Sequence, residues 1–136
     1  MSSICIINNF NYARYIGECI ESALQQVHPF DKILIVDDGS TDDTVPWLES
    51  HAATLPHVRL IRQEHGGPAQ GRNRGVQAAR GDVIVTMDGD LQNDPQDIPR
   101  LVGKLLEDDL DLVAGAGWVH VWGSLSPSAR LGYAGG

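Results

Sequence analysis

The chain has 136 residues and a mass of 14.7 kDa, enough for one domain core and too short for two. With 42% hydrophobic and 21% charged residues it is globular in composition, which excludes wholesale disorder. A formal charge of -8 sets its field against phosphate backbones, so no nucleic-acid partner is expected. No stretch approaches the ~18 apolar residues that span a bilayer, and Met1 to Asn8 lacks the basic start of a signal peptide. Cys5 and Cys19 fall at apolar positions without C-x-x-C spacing, which reads as two reduced core residues and a cytoplasmic protein.

In chain order, short β-branched runs alternate with amphipathic stretches, the pattern of an α/β domain with a mainly parallel sheet and helices on both faces. The first strand is read at Ile4 to Ile7. Ile16, Cys19, Ile20, Ala23, Leu24 and Val27 then recur at helical spacing until Pro29 stops the pattern. A second strand covers Ile33 to Val36, followed by a helix after Thr44 with Val45, Leu48, Ala52 and Leu55 on one face. A third strand covers Val58 to Ile61. The segment from Pro68 to Arg80 is a weaker helix, because Gly71 and Gly75 each cost about 1 kcal/mol relative to Ala. The fourth strand is Val83 to Met87. A helix after Pro95 carries Ile98, Leu101, Val102, Leu105 and Leu106, with Asp94 and Pro95 suited to its cap and first turn. Leu112 to Ala114 is the fifth strand. The last 25 residues have no acidic residue, one cation (Arg130), six glycines and two of the three tryptophans, and beyond Ala114 they yield no predicted element.

Ligands of open parallel sheets collect beyond the carboxyl ends of the strands, where the order reverses. Strand one ends in Asn8-Asn9-Phe10-Asn11, strand two in Asp37-Asp38-Gly39-Ser40, and strand four in Asp88-Gly89-Asp90-Leu91-Gln92. A strand order 3-2-1-4 would bring all three motifs to one edge. Carboxylates meeting there call for a cation, and oxygen-only donors favour Mg²⁺ or Mn²⁺, whose shell a nucleoside diphosphate would complete. Alone, either acidic motif also reads as a turn and helix cap. Gly66 to Gly71 has the glycine spacing of a P-loop, but Arg72 and Asn73 stand where Lys and Ser or Thr are needed. Arg72 reads equally as a phosphate contact or, with Arg74, as a solvated helix face. The five histidines lack metal-ligand spacing and read as solvated or capping residues.

Taken in order, Cys5-Ile6-Ile7-Asn8-Asn9-Phe10-Asn11, Ile35-Val36-Asp37-Asp38-Gly39-Ser40-Thr41-Asp42-Asp43-Thr44, Gly71-Arg72-Asn73-Arg74-Gly75 with Ala79-Arg80-Gly81-Asp82, and Met87-Asp88-Gly89-Asp90 resemble the inverting family-2 glycosyltransferases of GT-A fold. The continuation Leu91 to Pro99 resembles the dolichyl- and polyprenyl-phosphate sugar transferases. The resemblance implies a Rossmann-like nucleotide-diphospho-sugar-binding domain over 1–115 and an enzyme using a nucleoside-diphosphate sugar. It implies that Asn8, Phe10 and Asp38 contact the nucleoside, with Asp38 at the base. Asn8 stands where Pro is usual, and Phe10 where Tyr is usual. Asp88 would face the ribose and diphosphate, and Asp90 and Gln92 would hold Mg²⁺ or Mn²⁺. Asp88 and Asp90 would thereby stabilise the leaving group. A polyprenyl phosphate or a glycan would be the acceptor, the former at the cytoplasmic face of the membrane.

Residues 116–136 depart from the pattern, with Ala116-Gly117-Trp118 where a prenyl-phosphate transferase places an Arg after the glycine. They read as an atypical tail left by a truncation or frame change. No catalytic base is identified in the chain. Two other functions stay open: a nucleotide-sugar-binding module without turnover, and a phosphoacceptor receiver domain, whose acidic pair should follow strand one.

Overall fold

In the computed structural model, residues 2–52, 54–79, 82–90, 96–108, 112–114 and 120–123 are described. The elements are β1 (Ser3–Asn9), α1 (Ile16–Leu24), β2 (Lys32–Asp37), α2 (Thr44–His51), β3 (Val58–Arg62), α3 (Pro68–Ala78), β4 (Val83–Asp88), α4 (Asp97–Glu107), β5 (Leu112–Ala114) and β6 (His120–Trp122). They form one sheet in the order β3-β2-β1-β4-β6-β5. The β2–β3, β1–β2 and β1–β4 pairs are parallel, and β6 runs antiparallel to β4 and β5. The expected α/β fold and the 3-2-1-4 order are both present. Sequence reading missed β6, three residues that fill the gap between β4 and β5.

Successive strand residues point to opposite faces, and here both faces are covered. Cys5, Ile7, Ile33 and Ile35 pack with Ile16, Cys19 and Ile20 of α1, Leu48 of α2 and Ile98, Leu101 and Leu105 of α4. Ile4, Ile6, Leu34 and Val36 pack with Val76 of α3 and with Ala79. Continuous apolar runs in β1 and β2 follow from this two-sided burial. Cys5 and Cys19 are free thiols buried on the first of these faces, as expected.

Three apolar stripes are shorter than their periodicity suggests. Helix α1 stops at Leu24, and Val27 is 81% exposed. There the chain turns back to the sheet, where the Asp31 N–H donates to the Ser3 carbonyl and the Ser3 N–H to the Asp31 carboxylate. Leu55 lies beyond the end of α2, and Leu106 of α4 is half exposed. Gln96 occupies the N-cap position of α4 without a side-chain capping bond, and Asp94 and Pro95 fall outside the described residues.

The glycines that weaken α3 by propensity are what allow it to dock. A Cβ on Gly75 would lie 2.4 Å from Ile6 Cγ2 and 3.3 Å from Val36 Cγ2. Both neighbours are β-branched and stiff at χ1. Gly75→Ala is therefore expected to lower stability by about 1–3 kcal/mol through overpacking, despite the better helix propensity of Ala. Urea denaturation measures this, and a variant at least as stable as the parent would contradict the close approach.

Candidate functional site

The parallel registers bring the three polar strand ends together. Asn8 lies beside Asp88 and Asn9 beside Asp37, while the Gly89 N–H donates to the Asn8 carbonyl and the Asp38 N–H to the Asn9 carbonyl. A cleft of about 80 Å³ opens over them, lined by Asn8, Asn9, Phe10, Tyr12, Asp38, His65, Pro68 and Asp88. A larger cavity of about 500 Å³, lined in part by Ser3, Phe30, Val83, Val102 and Leu106, lies at the opposite, amino ends of β1 and β4. It is remote from the polar motifs.

The two adjacent acids of the second motif have separate tasks. Asp37 is buried and accepts from Asn9 Nδ2 at 2.9 Å, from the Ser40 N–H at 3.0 Å and from Ser40 Oγ at 2.6 Å. It fixes the turn after β2, the structural role open to either acid. Asn11 takes a left-handed backbone, φ 57°, and its Oδ1 accepts from the Thr41 and Asp42 N–H groups. Asp42 in turn accepts from the N–H groups of Ala13 and Thr44 and from the Thr44 hydroxyl.

Asp38 lines the cleft, and the loop from β3 to α3 closes around its carboxylate. Oδ1 accepts from Gln63 Nε2 at 2.8 Å and the Gly66 N–H at 2.9 Å. Oδ2 accepts from the Gly67 N–H at 2.9 Å and lies 3.0 Å from His65 Nδ1. Burial alone would raise this carboxyl's pKa, but the bonds from Gln63, Gly66 and Gly67, with the adjacent His65 ring, together hold it below the ordinary carboxylate range. The turn that lets the loop approach needs Gly39, whose φ is +79° and whose added Cβ would meet the His65 backbone nitrogen at 2.7 Å.

Asn8 donates through Nδ2 to the Pro68 carbonyl, tying β1 to the start of α3. Its Oδ1 and that of Asn9 are buried without a hydrogen-bond partner among the described residues. Arg72 projects from α3 toward β4, with Nη1 3.8 Å from Asp88 Oδ1 and both side chains largely buried, whereas Arg74 is exposed. Asp88 and Asp90 act on the same small volume. Burial first, then Asp90 and Asp88, raise the Tyr12 phenol pKa, and the same three causes push the Cys19 thiol to about 12. The Cys19 thiol donates to the Asp88 carbonyl.

Of the residues singled out from sequence, the structure gathers Asn8, Phe10, Asp38 and Asp88 in one cleft and sets Arg72 against Asp88. Asp90 stands two residues past the end of β4, and Gln92 lies outside the described residues. Tyr12 and His65 were missed. Tyr12 carried no signal beyond its closeness to Phe10. His65 lacked metal-ligand spacing, and its place depends on a loop that wraps a residue 27 positions earlier.

Residues 4–131 match the profile of the family described as Glycosyl transferase family 2. The chain belongs to this family. As a family-2 glycosyltransferase it continues to match beyond Gly115, through the segment that contains β6. It is 35% identical over 132 residues to the uncharacterized glycosyltransferase YibD of Escherichia coli, covering 93% of this chain and 38% of that protein. It is 37% identical over 117 residues to the dodecaprenyl-phosphate galacturonate synthase of Rhizobium johnstonii, covering 81% of this chain and 34% of that protein. The chain thus spans little more than a third of the length of these relatives. Among solved structures, a mannosyltransferase of Pyrobaculum calidifontis in complex with GDP-Man and Mn²⁺ superposes with a TM-score of 0.77 over 89% of this chain and 44% of that one. At 21% identity that likeness is one of fold. Staphylococcus aureus TarS in complex with UDP superposes with a TM-score of 0.67 at 26% identity, over 86% of this chain and 38% of that one. Family membership removes the receiver-domain reading, as does the ending of β1 in Asn8-Asn9 with no acidic pair.

Proposed function

We propose that the chain is the donor-binding part of an inverting glycosyltransferase that takes its sugar from a nucleoside-diphosphate sugar and passes it to a polyprenyl phosphate. The observation that carries this reading is the meeting of Asn8, Asp38 and Asp88 at three adjacent strand ends, with Arg72 set against Asp88. It is supported by a relative named as a dodecaprenyl-phosphate galacturonate synthase and by another named as an undecaprenyl-phosphate sugar transferase. Solved relatives hold UDP or GDP-Man, one of them with Mn²⁺.

In this reading the nucleoside lies against Asn8, Phe10 and the corner built around Asp38, and Asp88 faces the ribose and diphosphate. Arg72 is close enough to Asp88 to exchange that carboxylate for a phosphate oxygen, which a guanidinium binds well. Asp90 with Asp88 fits a divalent cation, because both carboxylates bear on the same cleft residues and offer oxygen donors. Gln92 joins them on the family resemblance. Mg²⁺ or Mn²⁺ bound there supplies positive charge against the diphosphate as it departs. Asp88 and Arg72 orient the donor so that the anomeric carbon is open to attack from the face opposite the diphosphate, and a single displacement inverts it. A phosphate acceptor is already anionic and needs no base to activate it. Such an acceptor would draw the protein to the cytoplasmic face of a membrane, and no described helix is long and apolar enough to cross one.

The test is a transfer assay with radiolabelled UDP- and GDP-sugars, Mn²⁺ and polyprenyl phosphate. The reading expects label in the lipid fraction that disappears with chelator. Donor binding without any labelled lipid or glycan would favour the nucleotide-sugar-binding module instead.

A further inference from the structure

The residue assigned to the nucleobase by family resemblance, Asp38, has little left to offer a ligand. Its side chain is 5% exposed, and its two oxygens already face four donors. The exposed member of the group is His65, 55% accessible and on the cleft wall, where its ring stacks on Phe10 with centroids 4.1 Å apart and planes inclined by 24°. That spacing leaves no room for a third ring between the two, so a base must meet the pair from outside.

The ring's tautomer follows from its partners. Nδ1 lies 3.0 Å from the Asp38 carboxylate and 3.1 Å from the Asp38 carbonyl. Both are acceptors, so Nδ1 carries the hydrogen, and in the neutral ring Nε2 presents a lone pair. Nε2 points away from Asp38, and no described residue bonds it. We propose that His65 reads the nucleobase, its Nε2 accepting a ring N–H that neighbours a ring carbonyl, with Asp38 acting through it as a positioning residue. Uridine and guanosine nucleotides carry that edge, and cytidine and adenosine nucleotides do not. The inference rests on the nucleotide-binding reading above and adds which base class is taken and which atom selects it.

The experiment is calorimetric titration of the whole chain with UDP, GDP, CDP and ADP in Mn²⁺. His65→Phe keeps a ring to stack on Phe10 and removes the acceptor, while His65→Ala removes both. The parent is expected to bind UDP or GDP at least about tenfold more tightly than CDP and ADP, the size of one hydrogen bond. Both variants should bring the four affinities within about twofold of one another, with the CDP and ADP values in His65→Phe unchanged. Should one variant fail to fold, the other decides. A parent without base preference, or a preference that survives in the folded variants, would overturn the role of His65 alone. Failure of the parent to bind any of the four nucleotides would overturn the nucleotide-binding reading and this inference with it.

Discussion

Asp38→Asn is expected to cost about 3 kcal/mol of stability at neutral pH, lowering Tm by about 10 °C. Four donors converge on the carboxylate, from Gln63, His65, Gly66 and Gly67. An amide of the same shape can accept on one side only and turns its own N–H groups toward donors on the other. The loss should depend on pH. Because the folded protein holds this carboxyl below its ordinary range, the unfolded chain binds the proton more tightly, and stability rises with pH through the interval between the two values. The parent's advantage is therefore complete above the unfolded value, about pH 4, and shrinks as pH falls through the folded one. Urea denaturation of both proteins at about pH 7, 5 and 3 measures it. An advantage that is constant across that range would show that the carboxylate charge does not hold the loop. The same variant should blunt base discrimination, since it removes the carboxylate that accepts from His65 Nδ1.

The second large effect is expected at Asp90. Asp90→Asn should weaken nucleoside diphosphate binding in Mn²⁺ by at least tenfold, about 1.4 kcal/mol, and leave binding in chelator nearly unchanged. The divalent cation that this carboxylate would help hold offsets the negative charge that the diphosphate brings beside Asp88. A second readout needs no nucleotide. Asp90 is one of the causes that raise the Tyr12 phenol pKa, behind burial and ahead of Asp88, so the substitution should move that titration back toward its ordinary value. Spectrophotometric titration, with Tyr12→Phe to identify the signal, follows it. An unmoved phenol together with unchanged Mn²⁺-dependent binding would place Asp90 outside the site.

Much of this arrangement could be read in the sequence because burial on both faces forces an unmistakable pattern. Cys5, Ile7, Ile33 and Ile35 serve one layer and Ile4, Ile6, Leu34 and Val36 the other, so no position from Ile4 to Ile7 or from Ile33 to Val36 is polar. The polar residues that follow are then marked as functional by their place. Local signals failed where a non-local contact sets the role. Gly75 weakens a helix in isolation, yet Ile6 requires it. Asp37 and Asp38 are neighbours of the same type, and only the loop from Gln63 to Gly67 makes one a turn brace and the other the centre of a cleft. His65 gains its place from the same loop. Strand β6 is too short to carry a period and pairs with residues far from it in the chain, Ile84 to Thr86.

The central claim is that the strand-end cleft binds a nucleoside diphosphate with a divalent cation. Thermal unfolding of the parent chain with UDP, GDP, CDP and ADP, each with Mn²⁺ and with chelator, tests it most directly. A ligand that binds only the folded state at about a hundredfold excess over its Kd adds about 2.7 kcal/mol. The account predicts a rise of several degrees in Tm for at least one nucleotide, present with Mn²⁺ and largely lost in chelator. A Tm indifferent to all four nucleotides, with the metal present, would contradict it.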